Sequence, residues 1–119
     1  YFWMAAHRVL PGLDIYPWAY DIDYTKPGSG WPGGEMAEAY GRVNNLFNKA
    51  FPSMNRLRVV EGGTHVIWLN DNDEPAVVWA FNDVTFEHEG TVENLETGEK
   101  LESIGSCSLA AHCVYFLCP

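Results

Sequence analysis

Basic residues are scarce in this chain. Lys and Arg together number 7, against 16 Asp and Glu, so the net charge is −9. Because this charge repels a nucleic-acid backbone and an anionic membrane surface, we expect neither nucleic acid nor membrane as a partner. A neutral ligand such as a carbohydrate is compatible with it.

Long apolar runs and targeting signals are also lacking. No apolar run reaches the ~18 residues that a membrane span needs, and no basic start precedes an apolar stretch as in a signal peptide. There is no Asn-x-Ser/Thr glycosylation acceptor either. Localisation therefore stays open, with an extracellular one slightly favoured. Because the first residue is Tyr1 and not Met, we expect a processed chain or a fragment.

Cysteine is limited to Cys107, Cys113 and Cys118. This odd number allows at most one internal disulfide, for which Cys107–Cys113 is the candidate. We favour the alternative of free thiols buried in the closing strand. A zinc site made with His112 would lack the tight Cys-x-x-Cys pairs of structural zinc. The "DNDE" stretch at 71–74 lacks the Gly and the distal Glu of a calcium loop, so we expect a solvated turn, no metal and no cofactor.

Aromatic residues, in contrast, are abundant, with 5 Trp, 6 Tyr and 6 Phe. Residues 1–33 combine aromatics with Gly and Pro, residues 34–51 have a helical pattern, and residues 56–118 have the rhythm of short strands. This order predicts a mostly β fold with one main helix, namely an antiparallel β-sandwich preceded by an aromatic loop region and an α-helix. We divide the chain into residues 1–52 and a β-sandwich of residues 53–119.

The helix prediction depends on apolar residues at helical spacing. Lys49 lies near the favourable C-terminal end, and Pro52 ends the helix. The apolar stripe consists of Met36, Tyr40, Val43, Phe47 and Ala50.

The segment "THVIWLNDNDEPAVVWAF", residues 64–81, predicts a hairpin that is apolar on both faces. Val66 and Trp68 would share one face with Val77 and Trp79, whereas Ile67, Leu69, Val78 and Ala80 would occupy the other. Two apolar faces indicate a central position that is covered on both sides. One cover would be a second sheet, and the other would be the 34–51 helix or a neighbouring domain.

Four segments resemble the C-terminal end of (β/α)-barrel glycoside hydrolases that carry a small β-sandwich after the barrel. "MAEAYGRVNNLF" is similar to the helix before that sandwich, and "HVIWLNDNDEPAVVWAF" to its early hairpin. "VENLETGEKLE" and "CVYFLCP" resemble the later turn and the closing strand. The clustered cysteines and the missing Pro before the closing Val-Tyr pair differ from the family pattern.

The resemblance implies that residues 1–52 are the end of a barrel, with residues 1–8 as its last strand and a long aromatic loop after it. Loops at the C-terminal ends of barrel strands build the active site. The family's catalytic carboxylates lie on earlier strands, which this chain does not contain. The resemblance therefore implies no catalytic residue here.

The aromatic loop supplies the candidate carbohydrate-binding residues. Flat aromatic faces stack on the C–H patches of sugars, and carboxylates accept strong hydrogen bonds from hydroxyls. The alternative is that the aromatics cover a neighbouring core. Hydrolysis by Asp21 and Asp23, about 7 Å apart on an extended segment, is permissible but not favoured. The candidate residues are Tyr16, Trp18, Tyr20, Asp21, Asp23 and Trp31.

Two functions follow from this sequence. The first is the C-terminal portion of a glycoside hydrolase, which supports a barrel in an upstream domain or chain, borders the substrate cleft and is not catalytic alone. The second is a self-contained β-rich binding or self-assembly module whose aromatic surface contacts a protein or an identical copy, as in a homo-oligomer.

Overall fold

The computed structural model describes residues 2–8, 35–55, 58–61 and 63–119, of which 35–37, 40 and 58–61 are described by their backbone alone. The helices are α1 (Phe2–Ala6) and α2 (Glu35–Ala50), and α2 continues into a 3₁₀ turn (Phe51–Ser53). The strands are β1 (Arg58–Glu61), β2 (His65–Leu69), β3 (Pro75–Ala80), β4 (Val84–Glu87), β5 (Gly90–Asn94), β6 (Lys100–Ser103), β7 (Ser106–Leu109) and β8 (Cys113–Cys118).

The strands form two antiparallel sheets. The larger has the order β1-β2-β3-β8-β5-β6, and the smaller pairs β4 with β7. The prediction of a mostly β fold with antiparallel sheets and one main helix is therefore confirmed. The two sheets pack face to face in a sandwich-like arrangement.

The hairpin of β2 and β3 is buried on both faces, as its sequence predicts. On one face, Val66 lies opposite Trp79, and Trp68 opposite Val77, and all four belong to a core shared with α1 and α2. On the other face, Val78 and Ala80 join a second core. This second core receives Phe86 from β4 and Leu109 from β7. The six-stranded sheet is thus the middle layer between the helices and the small sheet.

Helix α2 covers the sheet with one apolar stripe. Val43, Leu46, Phe47 and Ala50 are buried at the i, i+3, i+4, i+7 spacing of a single helix face. Helix α2 is also linked to the sheet by polar contacts that involve Arg42 and Lys49.

Arg42 forms the principal polar link. Its Nη2 donates to Glu96 Oε1 at 3.0 Å and to the carbonyl of His112 at 2.7 Å. Because the Glu96 carboxylate accepts hydrogen bonds from Arg42, the pKa of Glu96 lies below its usual value. Lys49 Nζ donates to the Leu95 carbonyl at 3.3 Å. These bonds hold α2 over the turn after β5 and the turn before β8.

The expectation that residues 1–8 are a barrel strand is wrong. Phe2–Ala6 is an α-helix, and Ala5 and Ala6 are fully buried. Ala has the highest helix propensity, and its small side chain permits close contact with the sheet. The strand pattern in the C-terminal half also needs two corrections: "TFEHEGTVENLE" divides between β4 and β5, and β7 was not predicted. Nothing in the structure tests the division into residues 1–52 and 53–119.

The three cysteines are free thiols, so the Cys107–Cys113 disulfide does not form in this structure. Cys107 and Cys113 are half-buried against the core between the sheets, whereas Cys118 is exposed. Beside them, the Tyr115 hydroxyl accepts from the Ala110 amide at 2.9 Å, and burial raises the pKa of the Tyr115 phenol. Neither α1 nor α2, the α-helices of the described part, is long and apolar enough to cross a membrane.

Candidate functional site

The predicted carbohydrate-binding residues lie outside the described residues. Tyr16, Trp18, Tyr20, Asp21, Asp23 and Trp31 all fall in residues 9–34, between α1 and α2. Their role therefore stays a prediction. The described segment directly before these residues is residues 2–8, which contains α1.

Helix α1 is held on the molecule by polar bonds at its C-terminal end. The indole Nε1 of Trp68 donates to the Ala6 carbonyl at 2.8 Å, and both groups are buried. Arg8 adopts a left-handed backbone with φ of 60°, which ends the helix. The Arg8 guanidinium donates to the carbonyls of Met54 and Asn55 and lies 4.7 Å from the centre of the Phe51 ring. The position of α1 is thus fixed from two sides.

Three aromatic side chains lie in a row at α1, and we call them the aromatic ladder: Trp3 of α1, His7 directly after α1, and Phe81 directly after β3. The ring centres of Trp3 and His7 are 3.9 Å apart, and those of His7 and Phe81 are 5.9 Å apart with planes tilted by only 1°. His7 Nδ1 also lies 2.7 Å from the carbonyl oxygen of Trp3 in α1. His7 is buried, whereas Trp3 is 57% exposed at the outer end of the ladder.

Phe2 joins the ladder to the core beneath it. Its ring makes edge contacts with Trp79 at 5.1 Å, Phe81 at 6.0 Å and His112 at 5.8 Å between ring centres. Such edge-to-face pairs are favourable for aromatic rings. The exposed indole of Trp3 therefore rests on packed aromatic side chains, and such packing reduces the conformational entropy that a side chain loses when a ligand binds.

An exposed and supported indole can stack on an apolar ligand surface, such as the C–H face of a sugar ring. The resemblance would bring His7 and Arg8, beside Trp3, into contact with a ligand if residues 1–8 were the last barrel strand, but Phe2–Ala6 is a helix. The i, i+4 spacing of Trp3 and His7 would have placed them on one face of a helix had α1 been predicted. Phe81 was missed, and no sequence signal connects it to His7, which lies 74 positions before it.

The acidic turn at 71–74 is solvated, as predicted. Its residues are exposed, and the side-chain oxygen of Asn70 accepts from the amides of Asn72 at 2.8 Å and Glu74 at 3.0 Å. Asp73 has a φ of 60°, a left-handed conformation that Asp tolerates well. Throughout the described ranges, no group of three or more His, Cys, Asp or Glu side chains is placed to hold a metal ion.

The chain was compared with models of known protein families, with curated proteins and with solved structures, and none of the three comparisons found a match. The proposals for function therefore depend on the sequence pattern and on the geometry of the aromatic ladder.

Proposed function

We propose that this chain is the C-terminal portion of a carbohydrate-active enzyme of the glycoside hydrolase class. Its β layers support a catalytic barrel, and its aromatic N-terminal part borders the substrate cleft. The chain is not catalytic alone, because the resemblance places the acid/base and nucleophile carboxylates on an upstream barrel. Glycosidic bonds are hydrolysed only when that barrel, in the same chain or another, is present.

The observation that carries the proposal is the aromatic ladder with its exposed Trp3. A carbohydrate cleft needs flat aromatic faces that are rigid before the sugar arrives, since rigidity reduces the entropy cost of binding. Two features support such a role for Trp3: its ring packs against His7 with ring centres 3.9 Å apart, and the backbone of α1 is anchored by Trp68 and Arg8. The order of elements, a helix followed by antiparallel sheets, agrees with the resemblance.

The loop residues extend this surface in the proposal. Trp18, Tyr16 and Tyr20 supply further stacking faces, and Asp21 and Asp23 accept hydrogen bonds from sugar hydroxyls. The acidic chain favours a neutral sugar over an anionic one, because its net charge of −9 repels anions.

A glycan array tests the proposal on the chain as it exists. We expect binding to at least one neutral oligosaccharide, and loss of binding in Trp3→Ala and in Trp18→Ala. Ile104→Ala is the matched control, because Ile104 is a 90% exposed apolar residue that lies outside the ladder. An array without any signal, or a signal that both Trp variants retain, contradicts the carbohydrate proposal.

The second candidate is a self-contained β-rich module whose aromatic surface binds a protein or an identical copy. The observation that favours it is the double cover of the six-stranded sheet: α1 and α2 bury one face and the small sheet buries the other. Among the described residues, the exposed large apolar side chains are Trp3, Phe51, Leu101 and Ile104, which are few for a surface that needs a large neighbour.

Solution behaviour separates the two candidates. A portion made to rest against a barrel is expected to aggregate when isolated or to require the barrel for solubility. A self-contained module is expected to remain monodisperse and to unfold in one cooperative transition. Light scattering and urea unfolding of the isolated chain give the two measurements.

A further inference from the structure

Strand β6 is an edge of the six-stranded sheet, and the alternation of hydrogen bonds shows which of its backbone groups point outward. The amide of Asn94 donates to the Glu99 carbonyl at 2.8 Å, so this pair is bonded across β5 and β6. In an antiparallel ladder, bonded and non-bonded pairs alternate. Val92–Leu101 is therefore the next bonded pair, and the N–H and C=O groups of Lys100 and Glu102 face away from β5.

The side chains along this edge are open to solvent. Lys100 and Glu102 are exposed, and Leu101 between them is 44% exposed although it is apolar. Opposite them on β5, Thr91 Oγ1 donates to Glu102 at 2.7 Å, and the Glu93 carboxylate lies 3.9 Å from Lys100 Nζ. Among the described residues, no strand pairs with the outer side of β6, and an edge strand with an exposed apolar residue is a template for a further strand.

The triplet Lys100-Leu101-Glu102 is complementary to itself. When two copies pair antiparallel with Leu101 opposite Leu101, Lys100 of each copy lies opposite Glu102 of the other. This register aligns the outward backbone groups, because both members of each Lys–Glu pair are residues whose N–H and C=O face outward. It also places opposite charges directly across from each other on one face and joins the two leucines on the other.

We propose that β6 is a self-pairing edge through which two copies of this chain join their six-stranded sheets. The occupant is a second copy, because the register satisfies the backbone, the charges and the apolar residue at the same time. This surface is distinct from the aromatic ladder, and its use rests neither on sugar binding nor on the protein-binding candidate described above.

The pairing competes with electrostatic repulsion between the two copies. Each carries a net charge of −9, and Glu99 adds an acidic side chain beside the pair. A four-residue strand also gives an interface at the small end of the range for specific complexes. We therefore expect a weak dimer whose population rises with protein concentration, and rises further when added salt screens the long-range repulsion.

Sedimentation velocity with charge-reversed variants tests the register, over about 10 μM to about 1 mM because small interfaces are weak. Lys100→Glu and Glu102→Lys each place like charges opposite each other twice in the dimer, and we expect the dissociation constant to rise about tenfold or more in each. The double variant K100E/E102K restores opposite charges, and we expect it to dimerise as the original chain does.

An equimolar mixture of the two single variants supplies the sharpest result. One copy then carries Glu at both positions and the other Lys at both, so the mixture is expected to form a heterodimer that neither variant forms with itself. Glu74→Lys is the control for net charge, because Glu74 is exposed in the turn before β3 and changes the charge as E102K does. A circular-dichroism spectrum of each variant reports that the fold is kept.

Two results would overturn the proposal. One is a chain that stays monomeric over the whole concentration range in added salt. The other is a dimer that the single variants leave unchanged, or that the mixture of K100E and E102K does not form, since either means that β6 does not pair in this register.

Discussion

Two buried tryptophans on one face of the sheet offer a matched pair of substitutions. Trp68 and Trp79 lie on the neighbouring strands β2 and β3, and both pack in the core beneath α1 and α2. Trp68 Nε1 donates to the Ala6 carbonyl, whereas Trp79 Nε1 is buried without a hydrogen-bond partner in the described structure. Trp→Phe removes the same atoms at each position, and the chief difference between the two positions is the hydrogen bond of the indole N–H.

The expected free energies follow from two contributions. Phe is smaller than Trp by about 40 Å³, so at about 24 cal/mol per Å³ the cavity costs about 1 kcal/mol at either position, and the lost burial of the removed atoms adds a similar cost to both variants. Trp68→Phe also leaves the buried Ala6 carbonyl unpaired, which costs about 1–3 kcal/mol more. Trp79→Phe instead removes a buried donor that has no acceptor, which recovers about 1–3 kcal/mol. Because the cost of the smaller ring is shared, we expect Trp68→Phe to lower the free energy of unfolding by about 2–6 kcal/mol more than Trp79→Phe does.

Urea unfolding followed by circular dichroism measures both free energies. Hydrogen exchange of residues 2–8 adds a local reading, since loss of the Trp68 bond is expected to loosen α1 more than the sheet. If Trp79→Phe destabilises the protein as much as Trp68→Phe, or if exchange in α1 is equal in both variants, the anchoring of α1 by Trp68 is wrong.

Two further predictions concern other parts of the fold. Gly90 has a φ of 130°, and a Cβ placed there would lie only 2.1 Å from the Cys118 carbonyl oxygen. Gly90→Ala is therefore expected to destabilise the protein by about 2 kcal/mol or more, as measured by urea unfolding. Unchanged stability would contradict the close approach of β5 to the end of β8. The pKa of Glu96 is lower in the folded protein than in the unfolded chain. The ionised carboxylate therefore stabilises the fold at pH values above the pKa of the unfolded chain, and this stabilisation is lost as the pH falls through the lower pKa of the folded protein. Glu96→Gln is therefore expected to lower the free energy of unfolding by less than about 1 kcal/mol at pH 7, since the pair with Arg42 is half exposed. Near pH 3 the substitution is expected to lower it by less still. An equal loss at both pH values would contradict the pairing of Glu96 with Arg42.

The sequence predicted the parts of this fold that local periodicity controls. The stripe of α2 and the two apolar faces of the β2–β3 hairpin were predicted from the spacing of their apolar residues. In the described part of that stripe, Val43, Phe47 and Ala50 are buried as expected, and both faces of the hairpin pack against a core. The segment "SCSL" of β7 escaped prediction because it is short and polar, and only Leu109 in it is fully buried. Its strand state comes from pairing with β4, which no local pattern encodes.

The candidate site was less accessible to sequence analysis. The ladder joins His7 of α1 to Phe81 after β3, and this contact depends on how α1 rests on the sheet. The position of α1 on the sheet depends in turn on the hydrogen bond from Trp68 to the Ala6 carbonyl, and these two residues are 62 positions apart in the sequence. Contacts between residues so far apart in the sequence depend on the whole fold. The sequence therefore indicated aromatic binding residues but did not indicate the aromatic ladder.

The most direct test of the carbohydrate proposal is an NMR titration of the chain with the neutral oligosaccharide that the glycan array selects. The Trp3 indole N–H resonance reports on the exposed end of the ladder, and the indole N–H of Trp68, which is buried, serves as the internal reference. The account predicts a saturable shift of the Trp3 resonance, together with resonances of residues 16–31, and no shift of the Trp68 resonance. A titration in which Trp3 does not respond while another surface does, or in which no resonance moves, contradicts it.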